Sequence, residues 1–214
     1  MILCKVLLSH NKLFKFNNAD RISYLKNYYF FSITGGYRSV VGLKRYNQDL
    51  KVLISIAGWA DGDSKFTMMT STAARRQKFI RSVAKFVDRH GFDGIDLDWE
   101  YPGAEDLGGS RKDKENFALL LEELSEVFVV KNWLLSAAVP PSRFRVEDGY
   151  DVMQISRYLD LINVLAFDLH SEREEVADHH SPLYRRDHDH GLDVFYNVVS
   201  SVGMGVLNQV SKGF

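Results

Sequence analysis

The stretch GFDGIDLDWEYPG, residues 91–103, constrains this chain more than any other. Side chains alternate faces along a strand, so Asp96, Asp98 and Glu100 share one face while Ile95, Leu97 and Trp99 share the other. The apolar set needs helices packed over it. The acidic row then faces the opposite side, with successive acids about 6.6 Å apart. An edge strand with one wet face fits poorly between further strand and helix patterns. Ca²⁺ loops carry their acids on a turn and not along a strand. Asp93 has the opposite parity and belongs at the start of the strand. Glu100 falls where the strand gives way to Tyr101-Pro102-Gly103. Crowded carboxyls in a low-dielectric channel favour a shared proton, and a neutral carboxyl is what a general acid requires. The residues alone point to catalysis.

The rest of the chain predicts the scaffold. Strands are expected at 1–9, 51–57, 92–98, 134–139 and 160–167. Helices are expected from Ser71 or Thr72 to a stop at Gly91, over 113–128 and 151–159, and at 192–203. Residues 62–67 read as a loop. This βαβαβα order, without sequence-adjacent hairpins, predicts a parallel sheet with crossover helices, open or closed into a barrel. A hydrophobic content of 45% supplies one core, so residues 1–214 read as a single domain.

Charge and cysteine content narrow the function classes. Lys plus Arg is 27 and Asp plus Glu is 28, so no global field argues for nucleic acid or an anionic membrane. No apolar run approaches the roughly 18 residues of a membrane-spanning helix. Cys4 is the single cysteine, which excludes an internal disulfide and leans towards an intracellular protein. The apolar start is interrupted by Lys5 and reads as a strand, with no clear secretion signal. The helix carrying Arg75, Arg76, Lys78, Arg81, Lys85 and Arg89 is basic, and the next, with Glu115, Glu122, Glu123 and Glu126, is acidic. They read as solvated neighbours with complementary faces. RRDHDH (185–190), with His179 and His180 nearby, reads as a solvated loop and not a metal site.

The pattern Asp93-x-x-Asp96-x-Asp98-x-Glu100, followed by Tyr101-Pro102, resembles the signature of family 18 glycoside hydrolases, the chitinases and chitinase-like lectins. SIAGW (55–59) is similar to that family's Gly-Gly-Trp strand, with Ala57 at the first glycine. LLSAAVP (134–140), DLINVLAFDLH (160–170) and HSPLY (180–184) resemble its later strands and the loop beyond. The resemblance implies a (β/α)8 barrel of the TIM type that cleaves β-1,4-linked N-acetylglucosamine polymers with retention. The substrate's own acetamide acts as nucleophile, an exception to the two-carboxylate scheme. Glu100 would be the acid/base, Asp98 would orient the acetamide, and Asp96 would share a proton with Asp98. Trp59 would stack on sugar, Tyr101 would lie beside the reacting ring and Asp168 would bind it from the opposite wall. Ala138 would leave room, with Leu165 and Phe167 completing the substrate wall. The expected partner is chitin or a chitooligosaccharide, bound by a secreted monomer without cofactor or metal.

Three departures accompany the resemblance. The family's sixth strand usually reads Met-x-Tyr-Asp; here it is Leu165-Ala166-Phe167-Asp168, so a hydroxyl that would bond the acetamide is missing. Ser171 and Arg173 stand where Gly-Ser-Trp is usual. Five strands, matching about the second to sixth of the barrel, cannot close eight, so a partial chain is expected. The resemblance then implies that the first strand, with the cysteine that pairs with Cys4, lies upstream, and the intracellular lean loses its force. A chitooligosaccharide-binding lectin and an inactive truncated product are the alternatives.

Overall fold

The computed structural model describes residues 2–8 and 12–15 as strand backbone, together with residues 35–59, 63–170 and 178–203. Six strands form one sheet: β1 (Ile2–Leu8), β2 (Lys12–Lys15), β3 (Lys51–Ala57), β4 (Gly94–Asp98), β5 (Leu134–Val139) and β6 (Leu161–Val164). Their order is β2-β1-β3-β4-β5-β6. The last four run parallel, as expected, and the helices between them are α2 (Asp63–Thr70), α3 (Ala73–His90), α4 (Asp113–Lys131), α5 (Arg143–Gly149) and α6 (Val152–Ile155). A short α1 (Gly36–Gly42) precedes β3, and α7 (Val198–Val202) lies near the end of the described residues. The parallel strands with their crossover helices are an arc of the barrel type that the resemblance implies.

The N-terminal strand corrects the expected order. β1 pairs antiparallel with both β2 and β3, with Leu8 opposite Lys12 and Leu7 opposite Lys51. A parallel neighbour needs a crossover of roughly a dozen residues, whereas only three separate β1 from β2. In sequence, Ser9-His10-Asn11 are a polar break at the end of the expected strand at 1–9.

The long helices follow their sequence signals. Thr72 accepts a hydrogen bond from the backbone N–H of Arg75 at the start of α3, and Gly91 closes that helix at φ 73°. Helix α3 buries Ile80, Val83 and Val87; α4 buries Phe117, Leu120, Leu121, Leu124 and Phe128. Between these two helices the expected complementarity centres on a partly buried glutamate, Glu123, whose Oε1 takes Arg76 Nη2 at 2.6 Å. Trp99, on the apolar face of the acidic stretch, is 2% exposed and packs 5.2 Å from Phe66 and 5.7 Å from Phe117, ring to ring. The Tyr150 hydroxyl donates to the Trp99 carbonyl at 3.2 Å, so the residue preceding Glu100 is held on both sides.

Shorter elements depart from expectation. Residues 63–70 form α2 where a loop is expected, and α1 and α5 carry too few residues to display a helical period. The expected helix at 192–203 is a 3₁₀ turn (Asp193–Phe195) and α7, divided at Asn197, whose side chain caps α7 by accepting from the Ser200 N–H. No helix among the described residues is long and apolar enough to cross a membrane.

Candidate active site

Three parallel strands bring one polar position each to the same level, and the fourth adds one two residues further along. Ser55 on β3 stands opposite Asp96 on β4, and Asp96 opposite Ser136 on β5. Asn163 comes from β6. Asp96 is fully buried and accepts three hydrogen bonds: Ser55 Oγ to Oδ2 at 2.7 Å, Ser136 Oγ to Oδ1 at 2.7 Å and Asn163 Nδ2 to Oδ1 at 2.8 Å. A buried carboxyl is tolerated when donors meet it, and here three strands supply them. The sequence reading misses Ser55, Ser136 and Asn163. Their signal is a lone polar residue within an otherwise apolar strand.

Asp98 lies one step towards the C-terminal end, buried at 4% exposure, with Ala57 as its register partner on β3. Glu100 follows, half-buried at the rim, and its Oε1 accepts the backbone N–H of Trp59 at 2.9 Å. That donor is aimed by a bend in which Ala57 adopts φ 79° and Gly58 φ 112°. A left-handed conformation costs an L-residue about 1–2 kcal/mol, and glycine would give back about 0.5–1 kcal/mol as unfolded-chain entropy. Ala57→Gly is therefore expected to stabilise the chain by up to about 1 kcal/mol, measured as a higher unfolding midpoint. An unchanged or lower midpoint counts against strain at this position.

Tyr101 sits beside the acid. Burial first, then the Glu100 carboxylate to which it hydrogen-bonds, push its hydroxyl well above the ordinary phenol range. It therefore stays protonated and able to donate. The loop beyond is pinned to α5 by Arg145, whose Nη1 and Nη2 each lie 2.6 Å from an Asp106 carboxylate oxygen. It is also pinned to α4 by Asp113, which accepts from Ser110 N at 2.7 Å and Thr67 Oγ1 at 2.8 Å.

The remaining expected residues fall around this row. Trp59 is 59% exposed at the C-terminal end of β3. Ala138 is buried on β5 opposite Asn163, and Leu165 is buried just past β6 with its N–H donating to the Val139 carbonyl. Phe167, 40% exposed, and Asp168, exposed at φ 52°, stand on the rim beyond β6, two strands from Glu100. Asp93 is a structural member: its carboxylate takes Lys44 Nζ and the Val52 N–H, each at 2.8 Å, tying the start of β4 to β3. Ser171 and Arg173 lie outside the described residues. On the same rim Pro141, Phe144, Phe195 and Tyr196 line a cavity of about 320 Å³.

The stretch 185–190 is not uniformly solvated. Asp189 is buried at 2% exposure and accepts the Arg186 N–H and Nη2, both at 2.8 Å. Arg186 also pairs with Asp178 and lies 3.0 Å from Nε2 of the buried His170. Asp178, His188 and Asp189 bring possible ligand atoms within 4.8 Å of one another, but the guanidinium of Arg186 already meets both carboxylates.

Parallel strands with crossover helices, carrying a buried acidic row to a glutamate at their C-terminal rim, define a chain of the barrel type, whose sites lie at that end of the strands. Comparison with known proteins gives the particular family: a profile of the glycosyl hydrolases family 18 matches residues 6–210, and the chain belongs to that family. It is 45% identical over 156 residues to an endochitinase of Manduca sexta, covering 72% of this chain and 28% of that protein. Among solved structures it resembles catalytic domain 2 of the Ostrinia furnacalis Group II chitinase, with a TM-score of 0.77, 32% identity, and 86% and 47% of the two chains covered. It also resembles human YKL-39, described as a pseudo-chitinase with retained chitooligosaccharide binding, with a TM-score of 0.73, 33% identity, and 85% and 50% covered. The chain thus spans half or less of the length of each of these relatives.

Proposed function

We propose that this chain carries the catalytic half-site of a chitinase, part of a family 18 catalytic domain acting on β-1,4-linked N-acetylglucosamine polymers outside the cell. The observation that supports it best is the unbroken row from Asp96 to Glu100, with Glu100 held at the rim by the Trp59 N–H at 2.9 Å. In this reading Glu100 gives its proton to the glycosidic oxygen as the bond to the anomeric carbon breaks. The substrate's acetamide oxygen closes on that carbon, forming an oxazolinium ion. Water then adds to the anomeric carbon as its bond to the acetamide oxygen breaks and the acetamide re-forms, and the Glu100 carboxylate takes the water's proton. Asp98 orients and stabilises the acetamide, and Asp96, fixed by three donors, gives Asp98 an immobile neighbour. The protonated Tyr101 hydroxyl donates near the reacting ring, while Trp59 and Asp168 hold the sugar from opposite walls. Ala138, Leu165 and Phe167 shape the wall between them.

The test is turnover and binding on one sample of residues 1–214, with N-acetylchitopentaose as probe. Release of shorter oligosaccharides supports hydrolysis, and binding without release supports a lectin. Phe167 specifically favours the lectin reading, because the expected tyrosine hydroxyl at that position is absent. Restoring it tests how much one donor is worth. Phe167→Tyr is expected to raise turnover by about tenfold or more, since a preorganised donor at developing charge is worth about 10²–10³ where it is fully used. An unchanged rate would mean that position 167 does not reach the acetamide.

A further inference from the structure

At the opposite end of the sheet from the acidic row, α1 and the 3₁₀ turn Leu43–Arg45 meet the last turn of α3 across a cavity of about 540 Å³. Its lining is Arg38, Val41, Gly42, Arg45, Arg89 and His90. Three exposed arginines and a half-buried histidine line one space with no carboxylate among them, and Arg45 Nε donates to the Gly42 carbonyl at 3.3 Å. Asp93, at the start of β4, is already engaged by Lys44 and the Val52 N–H. Among the described residues neither Arg38 nor Arg89 has a carboxylate partner.

Helix electrostatics account for only part of this. The negative end of the α3 dipole favours Arg89 and His90 by about 0.3–1 kcal/mol each. It does nothing for Arg38, which sits in the first turn of α1, where the dipole disfavours a cation. Gly42 is a second, independent observation. Its backbone is helical, φ −61° and ψ −19°, so no turn requires glycine there. Alanine would favour the helix by about 1 kcal/mol. A Cβ at this position would lie 3.6 Å from Arg45 Nη2, an ordinary contact distance, so the glycine leaves the space beside that guanidinium uncovered without a steric need for it.

We propose that this cavity binds a tetrahedral oxyanion, phosphate or sulfate, either free or as an ester on a larger molecule. Arginine forks match the paired oxygens of such groups and remain charged at all working pH values. The site is separate from the acidic row and does not depend on the chitinase reading.

Calorimetric titration of residues 1–214 with inorganic phosphate, inorganic sulfate, glucose 6-phosphate and glucose 6-sulfate tests it, at constant ionic strength set with chloride. Saturable binding at one site is expected. Arg38→Gln and Arg45→Gln are each expected to weaken it by about tenfold, the scale of one lost charge-assisted hydrogen bond. Gly42→Val, which leaves every charge in place, is expected to weaken it comparably. Arg81→Gln, on the exposed side of α3 and outside the lining, is expected to change it less than twofold. Tighter binding of an ester than of its free anion identifies the source as the ester. Absence of saturation, or an equal loss with Arg81→Gln, overturns the proposal. The exposed Arg38→Gln keeps the test decisive if the Gly42 variant does not fold.

Discussion

Glu100→Gln is expected to lower hydrolysis of N-acetylchitopentaose by about 10²–10⁴-fold while leaving its affinity within about threefold, the range for losing a positioned general acid. The substitution is nearly isosteric. Its carbonyl oxygen still accepts the Trp59 N–H, so the bend through Ala57 and Gly58 has no reason to move. What disappears is the transferable proton. Steady-state rates and calorimetric dissociation constants on the same samples separate the two effects. Equal turnover in both proteins would sink Glu100 as the acid. A collapse of affinity would mean that the glutamate binds the sugar instead of reacting with it.

Gly94→Ala is expected to cost about 3 kcal/mol or more and to abolish cooperative unfolding in a marginally stable chain. A Cβ at Gly94 would stand 1.9 Å from the Leu134 carbonyl oxygen and 2.7 Å from that residue's backbone nitrogen. Those atoms belong to the paired strand β5, where Leu134 N also donates to the Asp93 carbonyl at 2.7 Å, so they cannot swing aside as a side chain would. Gly108→Ala is the matched control. Its φ is +87° and nothing lies within 4 Å of the added carbon, so it loses only the left-handed term, about 1–2 kcal/mol. Thermal unfolding of both variants checks the pair. Similar losses would show that β4 and β5 approach each other less closely than described.

What the sequence discloses here depends on the period of the signal. Side-chain parity on a strand is 2, so five residues suffice to put Asp96, Asp98 and Glu100 on one face and Trp99 on the other. Strand direction has no such signature. Ile2–Leu8 looks equally apolar whether it runs parallel or antiparallel to β3; the three-residue spacing to Lys12 signals only its antiparallel pairing with β2. Helix α5 is hidden because seven residues show barely two turns, and part of its packing is a backbone contact. An added carbon at Gly149 would lie 2.0 Å from the Pro102 carbonyl oxygen. The supports of Asp96 were visible as Ser55, Ser136 and Asn163, yet each becomes meaningful only once strand register puts them around one carboxylate. Asp189 makes the opposite point: a run of polar letters hides a buried acid, because its partner Arg186 comes from the same short run.

The bond from Trp59 to Glu100 divides two duties between two parts of a single residue. The indole ring is directed at solvent and whatever docks there, whereas the proton donor is the peptide itself. Any side chain except proline leaves that peptide donor in place. A change at position 59 other than to proline would therefore alter the exposed surface at the rim while leaving the Glu100 carboxylate its peptide donor.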